Sequence, residues 1–346
     1  MNQPGHLTYA EISSQGEAIE QVARQESEIR AWVERYLAKG QYEEIIFIGS
    51  GSSYYQAITM AATCRKWLGA YASAMPSSDL LLFGETWMPA DRRTLIVGVS
   101  RSGESSEVVL ALQAFKDKPN RTICGITCYA DSTMGRLCDC LVSPLGQEAS
   151  TVMTRSLSSM IYLMQRAIAA VGGSDRELPA VAERIEAVVK ASDSLADELT
   201  NKSYNKVIYL GMGGYYGLAQ EGCLKLKEMA NIWTESFGTL EFRHGPKSIV
   251  DGETLIVILL SEEARGYELK VAQEMQAYGA SVVLVTRKGG ADTSFADGVL
   301  EVGGPADDDA RAVLYLPLMQ YIGYYTAMKR GLDPDHPRNL TQVVKL

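Results

Sequence analysis

The chain repeats itself, and the repeat limits its fold more than any other feature. EEIIFIGSGSSYYQA (43–57) and NKVIYLGMGGYYGLA (205–219) each run from a strand-like stretch through a G-x-G turn to a tyrosine pair, 162 residues apart. TLIVGVSRSGES (94–105) and TLIVILLSEEARG (254–266) match at an offset of 160. Two concordant offsets predict two copies of one supersecondary unit. Each copy alternates short apolar runs with amphipathic stretches: IIFI, TLIV, TICGIT and CLVSP in the first, VIYL, TLIVILL, SVVLVT and VLEV in the second. Such alternation predicts parallel strands covered on both faces by helices. The expected fold class is α/β: two doubly wound parallel-sheet domains, each of three layers, in tandem.

A chain of 346 residues exceeds one ordinary core and suits two domains of about 150 residues each. The expected segments are a helical leader over 1–40, a first domain over 41–175, a helical connector over 176–200, a second domain over 201–330 and a tail over 331–346. The connector reading rests on SDRELPAVAERIEAVVKASDSLADEL, whose apolar residues recur at three and four.

Charge and composition exclude several classes of function. A net charge of −9 argues against broad binding to nucleic acid or to an anionic membrane, but not against a small anion held by local dipoles. MNQPGHLTYAEI has no charged start followed by an apolar run, and no stretch reaches the roughly 20 apolar residues of a membrane span. A cytoplasmic location is expected. Cys64, Cys124, Cys128, Cys138, Cys140 and Cys223 lie mostly in strand-like runs and read as buried free thiols. Without CxxC or paired histidine spacing, neither a metal nor an organic cofactor is indicated.

The chemistry concentrates in two places. SRSGESS follows the apolar run TLIVGV, so Ser100, Ser102, Ser105 and Ser106 crowd a strand end, with Gly103 allowing close backbone approach. Helix N-termini at such strand ends attract anions, and hydroxyls add rotating donors, so a phosphate is the expected ligand. A well-capped helix start is the simpler alternative. In GSGSSYY, Tyr54 takes the third glycine position of a dinucleotide fingerprint and KWLGAYASAM supplies no ribose-binding acid; Ser52 and Ser53 instead add hydroxyls around the same ligand. The second copy reads SEEARG, with Glu262 and Glu263 where an anion would sit, which leaves only the first turn as the anion site.

The second place is QEGCLKLKEMA, which puts Glu221, Lys225 and Glu228 at i, i+4 and i+7 on one helix face. The stretch NIWTESFGTLEFRHGPKS reads as loop and holds His244. A solvated salt bridge and an idle histidine are the plain readings. Beside a phosphate turn, the same groups suit proton transfer between a sugar's C1 and C2, with Lys225 holding Glu228 ionised or binding an oxyanion and His244 opening the ring.

GSGSSYY, SRSGESSEV, QEGCLKLKEMANIWTESFGTLEFRHGP and DPDHPRNLTQVV together resemble the tandem sugar-isomerase (SIS) domains of the isomerase half of glucosamine-6-phosphate synthase and its stand-alone deaminase and deglycase relatives. The resemblance implies Glu228 as the C1/C2 proton shuttle, Lys225 and Glu221 beside it, and His244 as a ring-opening group supplied by a partner subunit of a homodimer. It implies Ser52, Ser53, Ser100, Arg101, Ser102 and Ser105 around a hexose phosphate or amino-sugar phosphate, the last four grouped at the phosphate. Three departures stand out. No glutamine-hydrolysing domain is expected, Gln342 aligns with the synthase's tail lysine with Lys345 three residues on, and QEASTVMTRS, with Thr154 and Arg155, matches its family segment only loosely. The first two departures favour breaking a carbon–nitrogen bond: first deaminating isomerisation of glucosamine 6-phosphate, then deglycation of a ketosamine 6-phosphate. A plain aldose–ketose isomerase and a non-catalytic phosphosugar sensor are the remaining readings; the sensor has no need of both Glu228 and His244.

Overall fold

A computed structural model describes residues 3–38, 40–172 and 175–346. Met1, Asn2 and Lys39, in the leader expected over 1–40, and Gly173 and Ser174, near the expected end of the first domain, lie outside the described residues. Ten strands are found among the described residues: β1 Glu44–Gly49, β2 Ala72–Pro76, β3 Thr94–Val99, β4 Arg121–Thr127, β5 Cys140–Val142, β6 Lys206–Gly211, β7 Thr234–Phe237, β8 Thr254–Leu259, β9 Ser281–Thr286 and β10 Gly298–Glu301. They form two parallel sheets, β2-β1-β3-β4-β5 and, read in the same sense, β7-β6-β8-β9-β10. The internal repeat is therefore a repeat of topology. It extends to register, since Glu44 pairs with Thr94 in one sheet and Lys206 with Thr254 in the other.

Chain contacts divide the molecule into two compact units. Unit I, built on β1–β5, comprises Ser14–Ala149, Met153–Arg176 and Thr341–Leu346; unit II, built on β6–β10, comprises Met1–Ser13, Ser150–Val152 and Glu177–Leu340. In unit I, Ile46, Ile48 and Ile96 face Val108, Ala111, Leu112 and Phe115 of the helix Ser106–Phe115. Those helical positions follow i, i+3, i+4 and i+7, the stripe that buries one helix face on a sheet. In unit II, Ile208, Leu210, Ile256, Ile258, Val282 and Leu284 face Leu269, Ala272 and Met275 of the helix Arg265–Ala277 in the same manner. Burying each such aliphatic side chain contributes about 1.5–3 kcal/mol. The alternate residues, such as Phe47 and Val97, project to the other layer. There the helix Ser52–Leu68 packs on β1 and β2 in unit I, and the helix Tyr215–Ala230 packs on β6 and β7 in unit II. Both units are thus three-layer α/β folds.

β1 and β6 both end in glycine for one steric reason. A Cβ on Gly49 would lie 2.4 Å from the Ser53 carbonyl carbon, and one on Gly211 would lie 2.5 Å from the Tyr215 oxygen. Only glycine lets the chain turn so sharply from strand into helix. The strands β2 and β7 were not among the apolar runs expected from the sequence. Each is an edge strand whose side chains are mostly half-buried, so ASAMP and TESF carry no continuous apolar signal. The stretch expected as one loop after Ala230 accordingly contains β7 and two 3-10 turns, Glu241–Arg243 and Pro246–Ile249. The corresponding segment of unit I is the helix Ser77–Trp87. No helix among the described residues is long and apolar enough to cross a membrane.

Candidate active site

In unit I the chain leaves β1 for the edge strand β2 and then crosses back to β3. At such a reversal the loops after the two central strands part, leaving a crevice at the strands' carboxyl ends. Ser52 and Ser53 open the helix after β1, and Ser100 to Ser105 form the turn after β3. The fold therefore sets both serine groups at the carboxyl ends of β1 and β3, beside the reversal in strand order. Two helices begin there, and helix N-termini present the positive ends of their dipoles.

The turn is organised from within. Ser100 Oγ accepts the Gly103 N–H at 3.1 Å and donates to Ser105 Oγ at 3.3 Å, while Ser102 Oγ accepts the Glu104 N–H at 3.1 Å. Gly103 has φ 64°, and a Cβ there would fall 2.1 Å from Ser132 Oγ. Ser105 stands at the N-cap of the helix Ser106–Phe115, yet its side chain makes no capping hydrogen bond. Capping alone therefore does not account for the serine cluster. Glu104 accepts from the Thr133 N–H at 2.6 Å and Thr133 Oγ1 at 2.8 Å, tethering the turn's far side. The Thr133 N–H bond, only partly opposed by burial, holds the Glu104 carboxyl below its ordinary value.

Arg101 is nearly buried, and Nη1 lies 3.1 Å from Glu148 Oε2. Its Nη2 donates to the Gln342 carbonyl at 3.3 Å, and Gln342 Nε2 donates to the Ala149 carbonyl at 3.1 Å. Glu148 also accepts from the Thr154 N–H at 2.7 Å and Ser156 Oγ at 2.6 Å. Arg155 turns to the Gln147 carbonyl at 3.2 Å and Ser14 Oγ at 3.0 Å. Glu148 is the residue sequence reasoning missed. Its only signal is its distance from Asp308, 160 residues on, which equals the second repeat offset. The tail then runs along the turn, with the Ser106 N–H donating to the Val344 carbonyl at 3.3 Å and the Leu346 N–H to Ser106 Oγ at 3.2 Å.

In unit II the helix Tyr215–Ala230 brings Glu221, Lys225 and Glu228 together. Lys225 Nζ lies 3.2 Å from Glu221 Oε1 and makes a second, short ion pair with Glu228 Oε2. Lys225 is buried because the helix Leu316–Lys329 packs closely on its own helix; a Cβ on Gly323 would meet the Lys225 carbonyl at 3.3 Å. The Glu221 side chain is 2% exposed and that of Glu228 is 17% exposed, so Glu228 is the acid that keeps access to solvent. Burial disfavours the Lys225 ammonium, but Glu221 and Glu228 outweigh that and raise its pKa above the ordinary 10.5. A permanently charged lysine is a poor nucleophile and a good partner for a carboxylate base. The helix stops at Asn231, left-handed at φ 53°, one turn beyond Glu228. His244 lies at the end of the turn Glu241–Arg243, exposed, just before Gly245 at φ 117°. Across the repeat, the helix of unit I carries Thr59 and Thr63, both buried, at the positions of Glu221 and Lys225. The units therefore differ in chemistry while sharing topology.

The cysteines are free, and burial pushes the Cys64 thiol up to about 12, away from reactive thiolate. Among the described residues, no group of three or more His, Cys, Asp or Glu side chains is placed to hold a metal.

The SIS domain model matches residues 41–169 and 199–299. The chain is similar to glutamine–fructose-6-phosphate aminotransferase [isomerizing] of Brucella abortus, at 32% identity over 321 residues, covering 87% of this chain and 52% of that protein. The corresponding protein of Methanothermobacter thermautotrophicus is 27% identical, over 98% of this chain and 57% of its own length. The chain thus spans about half the length of these curated relatives. Among solved structures, glucosamine-6-phosphate deaminase from Thermotoga maritima superposes with TM-score 0.84 at 27% identity, covering 98% of this chain and 99% of that one. Tagatose-6-phosphate ketose/aldose isomerase from Escherichia coli shares the fold, with TM-score 0.87 at 23% identity, over 98% and 100% of the two chains.

Proposed function

Because this chain belongs to the SIS-domain family, we propose that it is a phosphosugar enzyme whose reaction is deaminating isomerisation of glucosamine 6-phosphate. The observation that carries the reading is the Glu221–Lys225–Glu228 cluster, in which a buried ammonium ion-pairs with a carboxylate that keeps access to solvent. In the open-chain sugar, Glu228 takes the proton from C2, giving an enolamine, and returns it to C1, giving the C2 imine. Water adds to the imine and ammonia leaves, so glucosamine 6-phosphate plus water becomes fructose 6-phosphate plus ammonia. General acid–base transfer of this kind contributes about 10²–10⁴-fold.

In this proposal Ser52, Ser53, Ser100, Ser102 and Ser105 bind the phosphosugar through hydroxyls and nearby backbone N–H groups. Arg101, committed to Glu148 and the Gln342 carbonyl, holds the turn in shape. Gln342, where the synthase has lysine, provides no amine for a Schiff base. His244 protonates the ring oxygen and is supplied by the partner of a homodimer. Support for the deaminase reading comes from the similarity to the Thermotoga enzyme, at 27% identity along nearly the full length of both chains.

The test incubates purified protein with glucosamine 6-phosphate and, separately, with an amino-acid-derived fructosamine 6-phosphate, tagatose 6-phosphate and fructose 6-phosphate alone. Ammonia and fructose 6-phosphate released in equal amounts from the first is the expected result. Free amino acid from the second assigns deglycation, and aldose–ketose exchange without ammonia assigns a plain isomerase; either outcome removes the deaminase reading.

A further inference from the structure

Each unit sends an acid from the loop after its last strand toward the turn after its central strand. Glu148 follows β5 and Asp308 follows β10, at positions 160 residues apart. Their partners differ. Glu148 is drawn to Arg101 and to the N–H groups of Thr154 and Ser156. Asp308 instead sits on the turn itself, where Oδ1 accepts the Glu262 N–H at 2.9 Å and Oδ2 the Glu263 N–H at 3.2 Å. At the repeat offset, those positions correspond to Ser102 and Gly103 of unit I. Two successive backbone N–H groups at a helix start form an anion-binding concavity. In unit II the protein's own carboxylate fills it.

The site around Asp308 is more than a helix cap. Arg311, whose side chain is 0% exposed, ion-pairs with Asp308 and donates to the carbonyls of Pro305 at 2.8 Å and Ala306 at 2.7 Å. Tyr215 Oη donates to the Asp308 carbonyl at 3.0 Å, and its ring stacks on Tyr315 at 4.4 Å. A cap requires no buried guanidinium, whereas a buried guanidinium requires an anion, because an unpaired charge in the interior is strongly unfavourable. We propose that Asp308 is a built-in occupant of an anion site in unit II, of the class that takes phosphate or sulfate, and that removing its carboxylate opens this site to the free anion. The charged residues around the concavity are Glu262, Glu263, Arg265, Glu268 and Arg311; Glu268 is occupied by the Ser261 N–H at 2.7 Å, and Arg265 is engaged by Asp292 at 2.8 Å.

The proposal is independent of the reaction assigned to the protein, and its test reads a difference between two proteins. Inorganic phosphate is titrated calorimetrically into the full-length chain and into Asp308→Ala. The variant is expected to bind one more phosphate per chain than the wild type, whatever the wild-type number, and to gain about 5 °C more in Tm at a phosphate concentration one hundred times its Kd. If the variant folds, by circular dichroism, with the wild-type phosphate stoichiometry, the proposal is wrong. Should the variant purify unfolded, refolding in phosphate or sulfate is expected to restore the native spectrum, with chloride at matched ionic strength as control. Equal failure in all three anions would likewise overturn the assignment.

Discussion

Glu221 and Glu228 share one helix and one ammonium, yet differ in what they can reach. Glu221 is sealed with Lys225, while Glu228 completes the ion pair from the open side. Replacing Glu228 by glutamine keeps its shape and removes the base. Turnover is expected to fall at least about 10²-fold, with phosphosugar affinity by calorimetry little changed; normal turnover would remove Glu228 from the mechanism. Ser102 offers a complementary test, since its hydroxyl accepts the Glu104 N–H in the turn after β3. Ser102→Ala is expected to weaken hexose-phosphate binding by about 1.5–3 kcal/mol, the worth of a hydrogen bond to a charged group. An unaltered Kd would count against phosphate binding at that turn. Both acids were legible as an i, i+4, i+7 pattern, whereas the burial that separates their roles comes from a neighbouring helix.

The turn from β1 into the helix Ser52–Leu68 works because no side chain stands at Gly49. Introducing alanine there forces its Cβ against the Ser53 backbone, so strand and helix must separate. Gly49→Ala is expected to cost about 1–3 kcal/mol, as overpacking does, in a denaturant titration. It should also weaken phosphosugar binding, because Ser52 and Ser53 move with the helix start; a change in stability without any change in affinity would detach those serines from the site. At this scale the apolar runs announced the central strands, and the edge strands β2 and β7 escaped because half-buried strands carry no continuous apolar pattern. The segment after β7 shows the same limit. It reads as loop in the sequence, and only the sheet order shows that it replaces the helix Ser77–Trp87 of unit I.

For the whole molecule, the proposed origin of His244 in a partner subunit has a direct test. Glu228→Gln and His244→Ala are each expected to be inactive alone. If two subunits share each site, co-refolded mixtures would recover about a quarter of wild-type activity, because statistical mixing makes half the two-fold dimers hybrid with one intact site. No recovery, with hybrid dimers demonstrated by mass, would place His244 and Glu228 in the same subunit's site. The sequence by itself determined that the chain holds two copies of one α/β unit, because periodicity and repeat offsets are properties of local order along the chain. It also singled out the serine turn and the Glu221–Lys225–Glu228 face, whose spacings are set by strand ends and helix geometry. Only the tertiary structure decided which side chains from distant segments meet. Glu148 reaching Arg101, Asp308 filling the turn of unit II and Lys225 losing its water are long-range contacts, fixed by how elements far apart in the chain pack together.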